Sequence, residues 1–156
     1  MTLEIGEKAP DFSIPSNGGG TVSLSDYNER YLVLYFYPKD DTPGCTKEAI
    51  DFSENKSAFN ELGADILGIS KDTVAKHDKF TAKHELTIAL GSDEEGKVIE
   101  DYSVWVEKNM YGKKYMGIER ATYLIGPDGK ILEIWRKVRV KNHVETVLDT
   151  LKQSRL

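Results

Sequence analysis

Residues 31-YLVLYFY-37 form a continuous apolar and aromatic run that stops at Pro38. The lack of polar alternation predicts a strand buried on both faces of a largely parallel sheet, aimed at the segment that holds Cys45. Beyond that residue the spacing turns helical: Cys45, Ala49, Phe52 and Phe59 fall on one stripe, and Gly63 closes the segment. A second buried strand is expected at 64-ADILGIS-70. Asp72 is placed to cap a helix running to about His84, and 86-LTIALGSD-93 reads as a shorter strand that ends in turn residues. Residues 94–102 predict a short helix. The stretches 121-ATYLIG-126 and 130-KILEIWR-136 flank the turn Pro127-Asp128-Gly129 as a hairpin, and 141-KNHVETVLDTLKQ-153 reads as an amphipathic helix. Gly18-Gly19-Gly20 marks a turn tip between Ile14 and Val22 rather than a phosphate cradle, because neither a Gly-Lys-Ser/Thr sequence nor a helix start follows it.

Strands alternating with helices, then a hairpin and a terminal helix, indicate an α/β sandwich around a mixed sheet. The 156 residues fit one domain over 1–156, long enough to bury a core without disulfides or metals. Charged residues make up 30% and hydrophobic ones 39%, a balance too apolar for a disordered chain. The net charge of −5 and the absence of a dense basic run argue against nucleic acid as a partner. No apolar run reaches bilayer length, and Met1–Glu7 lacks the basic-then-apolar order of a signal peptide, so a cytoplasmic location away from membranes is expected. Tyr102, Val104 and Trp105 read as core in preference to a contact patch, and residues 111–117 as a border of the pocket.

Cys45 is the one cysteine of the chain, which closes off an internal disulfide and a cysteine-built zinc site. A reducing compartment would leave its thiol free for chemistry. His77, His84 and His143 lie far apart without the i, i+4 pairing of a metalloprotease helix, and all three read as surface residues rather than bases for a cysteine hydrolase. No metal or cofactor is expected. Thr42-Pro43-Gly44-Cys45 reads as a helix start, with Thr42 as N-cap and Pro43 at the first helical position. A sulfur there feels the positive end of the helix, which favours the nucleophilic thiolate. The alternative is a buried cysteine packed as a small hydrophobe, but a Pro-Gly helix start at the mouth of a central strand lies where α/β folds place their ligands. Arg120, just before a buried-looking strand, is the candidate cation; spacing alone leaves open that it is solvated and paired with Glu119 or Glu133. Glu48 has two readings of equal weight, a network that fixes Arg120 or an exposed first-turn carboxylate.

With these residues in view, the sequence resembles the peroxiredoxins of the bacterioferritin-comigratory-protein, or Q-type, subfamily over nearly its whole length. The motif of proline, three residues, threonine or serine, two residues and cysteine appears as Pro38, Thr42 and Cys45 within FYPKDDTPGC. The family arginine matches Arg120 within ERATYLIGPDG, and GEKAPDFSIPSNGGGTVSLSDY matches as well. The resemblance implies a thioredoxin-like fold and a peroxidase that reduces hydrogen peroxide and organic hydroperoxides. It assigns Cys45 as the peroxidatic cysteine, Thr42 as a hydrogen-bonding partner of the peroxide, Arg120 as the holder of thiolate and developing charge, and Pro38 as a shield against water.

The chain departs from many relatives at Ile50, where they carry a resolving cysteine, and none occurs in the next helix, where other relatives place it. A one-cysteine mechanism follows, with the sulfenic acid reduced by an external thiol such as thioredoxin or glutaredoxin with glutathione. The competing function is a peroxide sensor or redox relay that passes oxidation to a partner. Q-type relatives imply a monomer or weak dimer.

Overall fold

In a computed structural model, residues 2–155 are described; Met1 and Leu156, the ends of the expected domain, lie outside the described residues. A small hairpin comes first, β1 (Ser13–Pro15) and β2 (Thr21–Ser23), with the three glycines at its tip as the sequence predicts. Strand β3 (Tyr31–Phe36) then runs into a loop that ends at helix α1 (Pro43–Glu54). A short helix α2 (Lys56–Glu61), strand β4 (Ala64–Ser70), helix α3 (Val74–His84) and strand β5 (Ala89–Ser92) complete the first half. Helix α4 (Lys97–Asp101) leads to a second hairpin, β6 (Trp105–Met110) with β7 (Lys113–Ile118). Strands β8 (Ala121–Ile125) and β9 (Ile131–Trp135) and helix α5 (His143–Ser154) follow.

The central sheet has five strands in the order β5-β4-β3-β8-β9. β3 pairs parallel to β4 and antiparallel to β8, so the sheet is mixed. The unbroken apolar run of β3 is explained by two cores: Leu32, Leu34 and Phe36 enter one, while Val33, Tyr35 and the following Tyr37 enter the other. The first core is covered by the β1–β2 hairpin and α4 through Ile14, Val22, Ile99 and Tyr102. The second is covered by α1, α2, α3 and α5 through Phe52, Phe59, Phe80 and Leu151. Burying alternate residues on opposite faces removes every side chain from Leu32 to Phe36 from water, and that burial is the main favourable term in folding.

Three expectations are revised. The single helix read from Cys45 to Gly63 is divided at Asn55, whose side-chain amide donates to the Asp51 carbonyl at 2.8 Å and whose backbone, at φ −99° and ψ 3°, departs from helical geometry between α1 and α2. Asp72 is not the cap of α3; Thr73 is, its Oγ1 accepting from Lys76 N at 3.1 Å, and Asp72 is buried elsewhere. The β6–β7 hairpin was not foreseen as paired strands, although Tyr111-Gly112, both at positive φ, form the two-residue link such a hairpin needs. Tyr102 and Val104 are fully buried as expected, whereas Trp105 is half-buried under the Lys71 ammonium.

Gly68 stands opposite Tyr35 in the β3–β4 register, and a Cβ there would lie 2.6 Å from Tyr35 Cζ and 2.8 Å from its hydroxyl oxygen. The phenol therefore occupies space that any other residue would fill. Gly68→Ala is expected to cost about 1–3 kcal/mol through overpacking, read as a lower denaturation midpoint in guanidinium. An unchanged midpoint would show that the ring moves aside freely.

Candidate active site

β3 delivers the chain to the carboxyl end of the sheet, and the loop 37–42 turns it into α1. Pro38, half-buried, ends the strand. The loop is pinned to α3: Tyr37 donates its hydroxyl to Asp40 Oδ1 at 2.6 Å, Asp40 Oδ2 lies 2.6 Å from His77 Nδ1, and Asp40 N donates to Asp72 Oδ2 at 2.8 Å. On the outside, Asp41 pairs with Lys83 and His84, which hold its carboxyl below the usual range through hydrogen bonds. Asp40, Asp72 and His77 bring three ligand-type atoms within 4.8 Å of one another. Each already has protein partners, Ser70 Oγ donating to Asp72 and His77 Nε2 facing the Gly91 carbonyl, so the cluster is a hydrogen-bonded strut rather than an open coordination site.

α1 starts as expected, with Thr42 at the N-cap position and Pro43 first in the helix. The Thr42 side chain does not cap it. Its hydroxyl donates to the Lys39 carbonyl at 2.9 Å, which leaves the oxygen lone pairs as acceptors. Cys45 is the third residue of α1 and 1% exposed, within the first turn, where a helix leaves its N–H groups unpaired.

Arg120 reaches this sulfur from the start of β8. Its Nη2 donates to Cys45 Sγ at 3.4 Å, and its Nη1 donates to Glu48 Oε1 at 2.7 Å. The pairings with Glu119 or Glu133 do not form: Glu119 pairs with Arg136, and Glu133 Oε1 accepts from Ile134 N at 3.2 Å. Cys45 and Glu48 are three residues apart on one helix face, so one guanidinium spans both. Glu48 is completely buried, which settles its two readings in favour of the network. Burial pushes its carboxyl up to about 7 despite the pull of Arg120. Burial alone would lower the guanidinium, but the charges of Glu48 and Cys45 outweigh it and hold Arg120 above its ordinary value. Gly44 makes the approach possible, since a Cβ there would lie 3.1 Å from Nη2.

The histidines correct the sequence reading. His77 and His143 are buried, not on the surface, and His84 is partly covered. None is hydrogen-bonded to the sulfur: His77 serves the strut, His84 meets Asp41, and His143 Nε2 lies 2.8 Å from Thr122 Oγ1. Burial, aided by Arg120, lowers His143 to about 4 and keeps it neutral near pH 7. The β6–β7 hairpin borders the site through Lys108, which burial and Arg120 hold below the lysine range; Tyr111 at its tip is 99% exposed.

The profile of the AhpC/TSA family matches residues 5–134. The chain belongs to that family. Peroxiredoxin Bcp of Bacillus subtilis (strain 168) is 53% identical over 152 residues, which cover 97% of each chain. PrxQ of Xylella fastidiosa, solved as a cysteine-to-serine variant, superposes with a TM-score of 0.95 at 39% identity over 100% of this chain and 99% of that one. The bacterioferritin comigratory protein of Xanthomonas campestris, studied for alkyl peroxide reduction, gives 0.90 at 42% identity over 97% of each chain. This peroxiredoxin thus has the expected thioredoxin-like fold and is a thiol-dependent peroxidase by class, and its single cysteine fits the one-cysteine kind.

A carboxyl raised from 4.5 to about 7 binds its proton more tightly in the folded state than in the unfolded one. The stability it contributes is full below about 4.5 and is lost as pH rises through about 7, a change of about 3 kcal/mol. Glu48→Gln should flatten the fall in unfolding free energy between pH 5 and 8, measured by urea denaturation at each pH. An equally steep fall in the variant would assign the titration to another group.

Proposed function

We propose that Cys45 is the peroxidatic nucleophile of this peroxiredoxin, that Thr42, Arg120 and Pro38 shape its peroxide pocket, and that the chain works as one domain. The observation that carries this reading is the Arg120 fork, with one nitrogen on Sγ at 3.4 Å and the other on buried Glu48 at 2.7 Å. A fixed positive charge beside a helix N-terminus stabilises a thiolate and the charge that develops on peroxide oxygens.

The thiolate attacks the terminal oxygen of a hydroperoxide, forming the S–O bond while the O–O bond breaks. The leaving alkoxide takes the proton released by the peroxide and departs as an alcohol, or as water when the substrate is hydrogen peroxide. Thr42 accepts the peroxide proton in the bound complex, because its own O–H is committed to Lys39. Because the peroxide proton has gone to the leaving group, the oxidised Cys45 is a sulfenate, which takes a proton from solvent to become the sulfenic acid. One external thiol condenses with it, releasing water and leaving a mixed disulfide; a second thiol attacks that bond and restores the Cys45 thiolate. Organic hydroperoxides are included as substrates because the Xanthomonas relative is concerned with alkyl peroxides. The reductant is thioredoxin, glutaredoxin with glutathione, or a similar thiol. The exposed large apolar residues, Met110, Tyr111, Tyr115 and Met116, are confined to one hairpin apart from Ile5, which supports a monomer or weak dimer over a permanent assembly. Among the described residues no helix is long and apolar enough to cross a membrane, which is compatible with a cytoplasmic enzyme.

Hydrogen peroxide consumption should proceed with one of thioredoxin, glutaredoxin plus glutathione, or dithiothreitol, and should vanish in Cys45→Ser. Arg120→Met is expected to slow Cys45 oxidation about 100-fold or more, as loss of a fixed donor to developing charge does elsewhere. Turnover that survives Cys45→Ser would end this reading, and one rapid oxidation without turnover by any thiol would mean a relay. Mass spectrometry after graded peroxide without thiol should show Cys45 advancing to sulfinic acid, since no second cysteine intercepts the sulfenic acid.

A further inference from the structure

Two buried side-chain atoms have no hydrogen-bond partner within the protein among the described residues, Tyr35 Oη and Glu48 Oε2. Tyr35 belongs to the second core together with Cys45, and its hydroxyl feels the charge of Glu48. Tyr35 stacks on Phe52 at 4.7 Å between ring centroids, and Phe52 follows Glu48 by four residues on α1. Side chains four apart share a helix face and lean toward the N-terminus, so the ring that lies on Phe52 extends toward Glu48. Gly68 provides the slot for the phenol, its missing side chain being what lets the hydroxyl end lie over β4. A tyrosine oxygen buried in apolar surroundings at a site cleared by a glycine is costly unless something bonds it.

We propose that Tyr35 is a positioning residue for the peroxide reaction: its hydroxyl donates through one buried water to Oε2 of Glu48 and holds the carboxylate against Arg120. This rests on the peroxidase reading above. The water has two polar partners, and it satisfies both orphaned atoms in one step. Tyr35 then completes a chain from the sheet to the sulfur: Tyr35, water, Glu48, Arg120, Cys45. The charged and titratable groups around Glu48 are Arg120 ahead of β8, Cys45 and Asp51 on its own helix and Tyr35 on β3. Lys108 on β6 and His143 on α5 face it less directly, through Arg120. Of these, Arg120 and the Tyr35 hydroxyl are the donors that favour the carboxylate. Losing the Tyr35 hydroxyl leaves Glu48 protonated to higher pH, and a protonated Glu48 is a poorer acceptor for the guanidinium that serves the sulfur.

Tyr35→Phe keeps the ring and its stacking on Phe52 while removing one oxygen. The measurement is single-turnover oxidation of Cys45 by hydrogen peroxide from pH 5.5 to 9, stopped with an alkylating reagent and read by mass. The acid limb should move up by about half a pH unit, which is about a 3-fold lower rate on that limb, with the alkaline plateau retained. The variant should also be less stable than the parent, because Glu48 keeps a buried oxygen that the water no longer serves. In a Glu48→Gln background the same Tyr35→Phe change should leave the limb where it is. A limb that overlays the parent's, or that shifts equally with Gln at 48, would overturn the assignment. If the parent's own Cys45 is not oxidised, the failure lies with the peroxidase reading; if it is oxidised and the limb stays, the failure lies with Tyr35 alone.

Discussion

The site depends on one planar cation shared between two acceptors on one helix. Arg120 presents its nitrogens as a fork, and the three-residue spacing of Cys45 and Glu48 matches it. Each partner makes the others tolerable. A carboxylate with no exposed surface needs a cation, a guanidinium drawn into the protein needs an acceptor, and the sulfur gains a charged donor from the same group. Lysine would not replace Arg120, because a point charge cannot hold two acceptors at fixed angles. The backbone is set as well: Val138 N donates to the Arg120 carbonyl at 3.0 Å, and Gly44 leaves the gap through which Nη2 approaches.

The loop between β3 and α1 is fixed by different chemistry. His77 bridges two elements, its Nε2 lying 3.0 Å from the Gly91 carbonyl and its Nδ1 2.6 Å from Asp40 Oδ2. Tyr37 donates to the other oxygen of Asp40, and Asp72 receives the Asp40 N–H. The loop that bears Pro38 and Thr42 is thereby tied to α3 from its buried side, with Asp41, Lys83 and His84 on the wet side. The Thr42 hydroxyl is oriented as a consequence, since its acceptor is the carbonyl of Lys39 in the same loop.

Much of this was legible in the sequence because it is local. The buried run 31–37, the Pro-Gly helix start and the turn Pro127-Asp128-Gly129 are each decided by neighbours within a few residues, and all three took the form expected. The break at Asn55 is local too, but a single amide that bonds back to Asp51 carries little signal in a helical stripe. The β6–β7 strands were missed because Lys108, Lys113 and Lys114 obscure alternation, and the hairpin stands apart from the main sheet. Which acceptor Arg120 would choose, and the burial of His77 and His143, depend on contacts 14 to 75 positions apart in the chain. No spacing rule reaches across such distances. Tyr35 looked like one more apolar residue of a buried strand; its significance lies in an oxygen that the strand pattern does not register.

The absence of a second cysteine changes what the helix must do. In relatives with a resolving cysteine five positions along, the disulfide requires the helix to unwind, because residues five apart do not face each other. Here that position is Ile50, partly buried against the second core, and Lys47 and Asp51 pair across the same turn. Apolar packing and an i, i+4 pair both favour the wound helix, so each step toward unwinding loses contact rather than gaining a bond. A wound helix keeps the sulfur beside Arg120 and 1% exposed, which suits a small peroxide. The same burial restricts the thiol that follows. In the mechanism proposed above, oxidation and reduction of Cys45 both take place beside the Arg120 guanidinium.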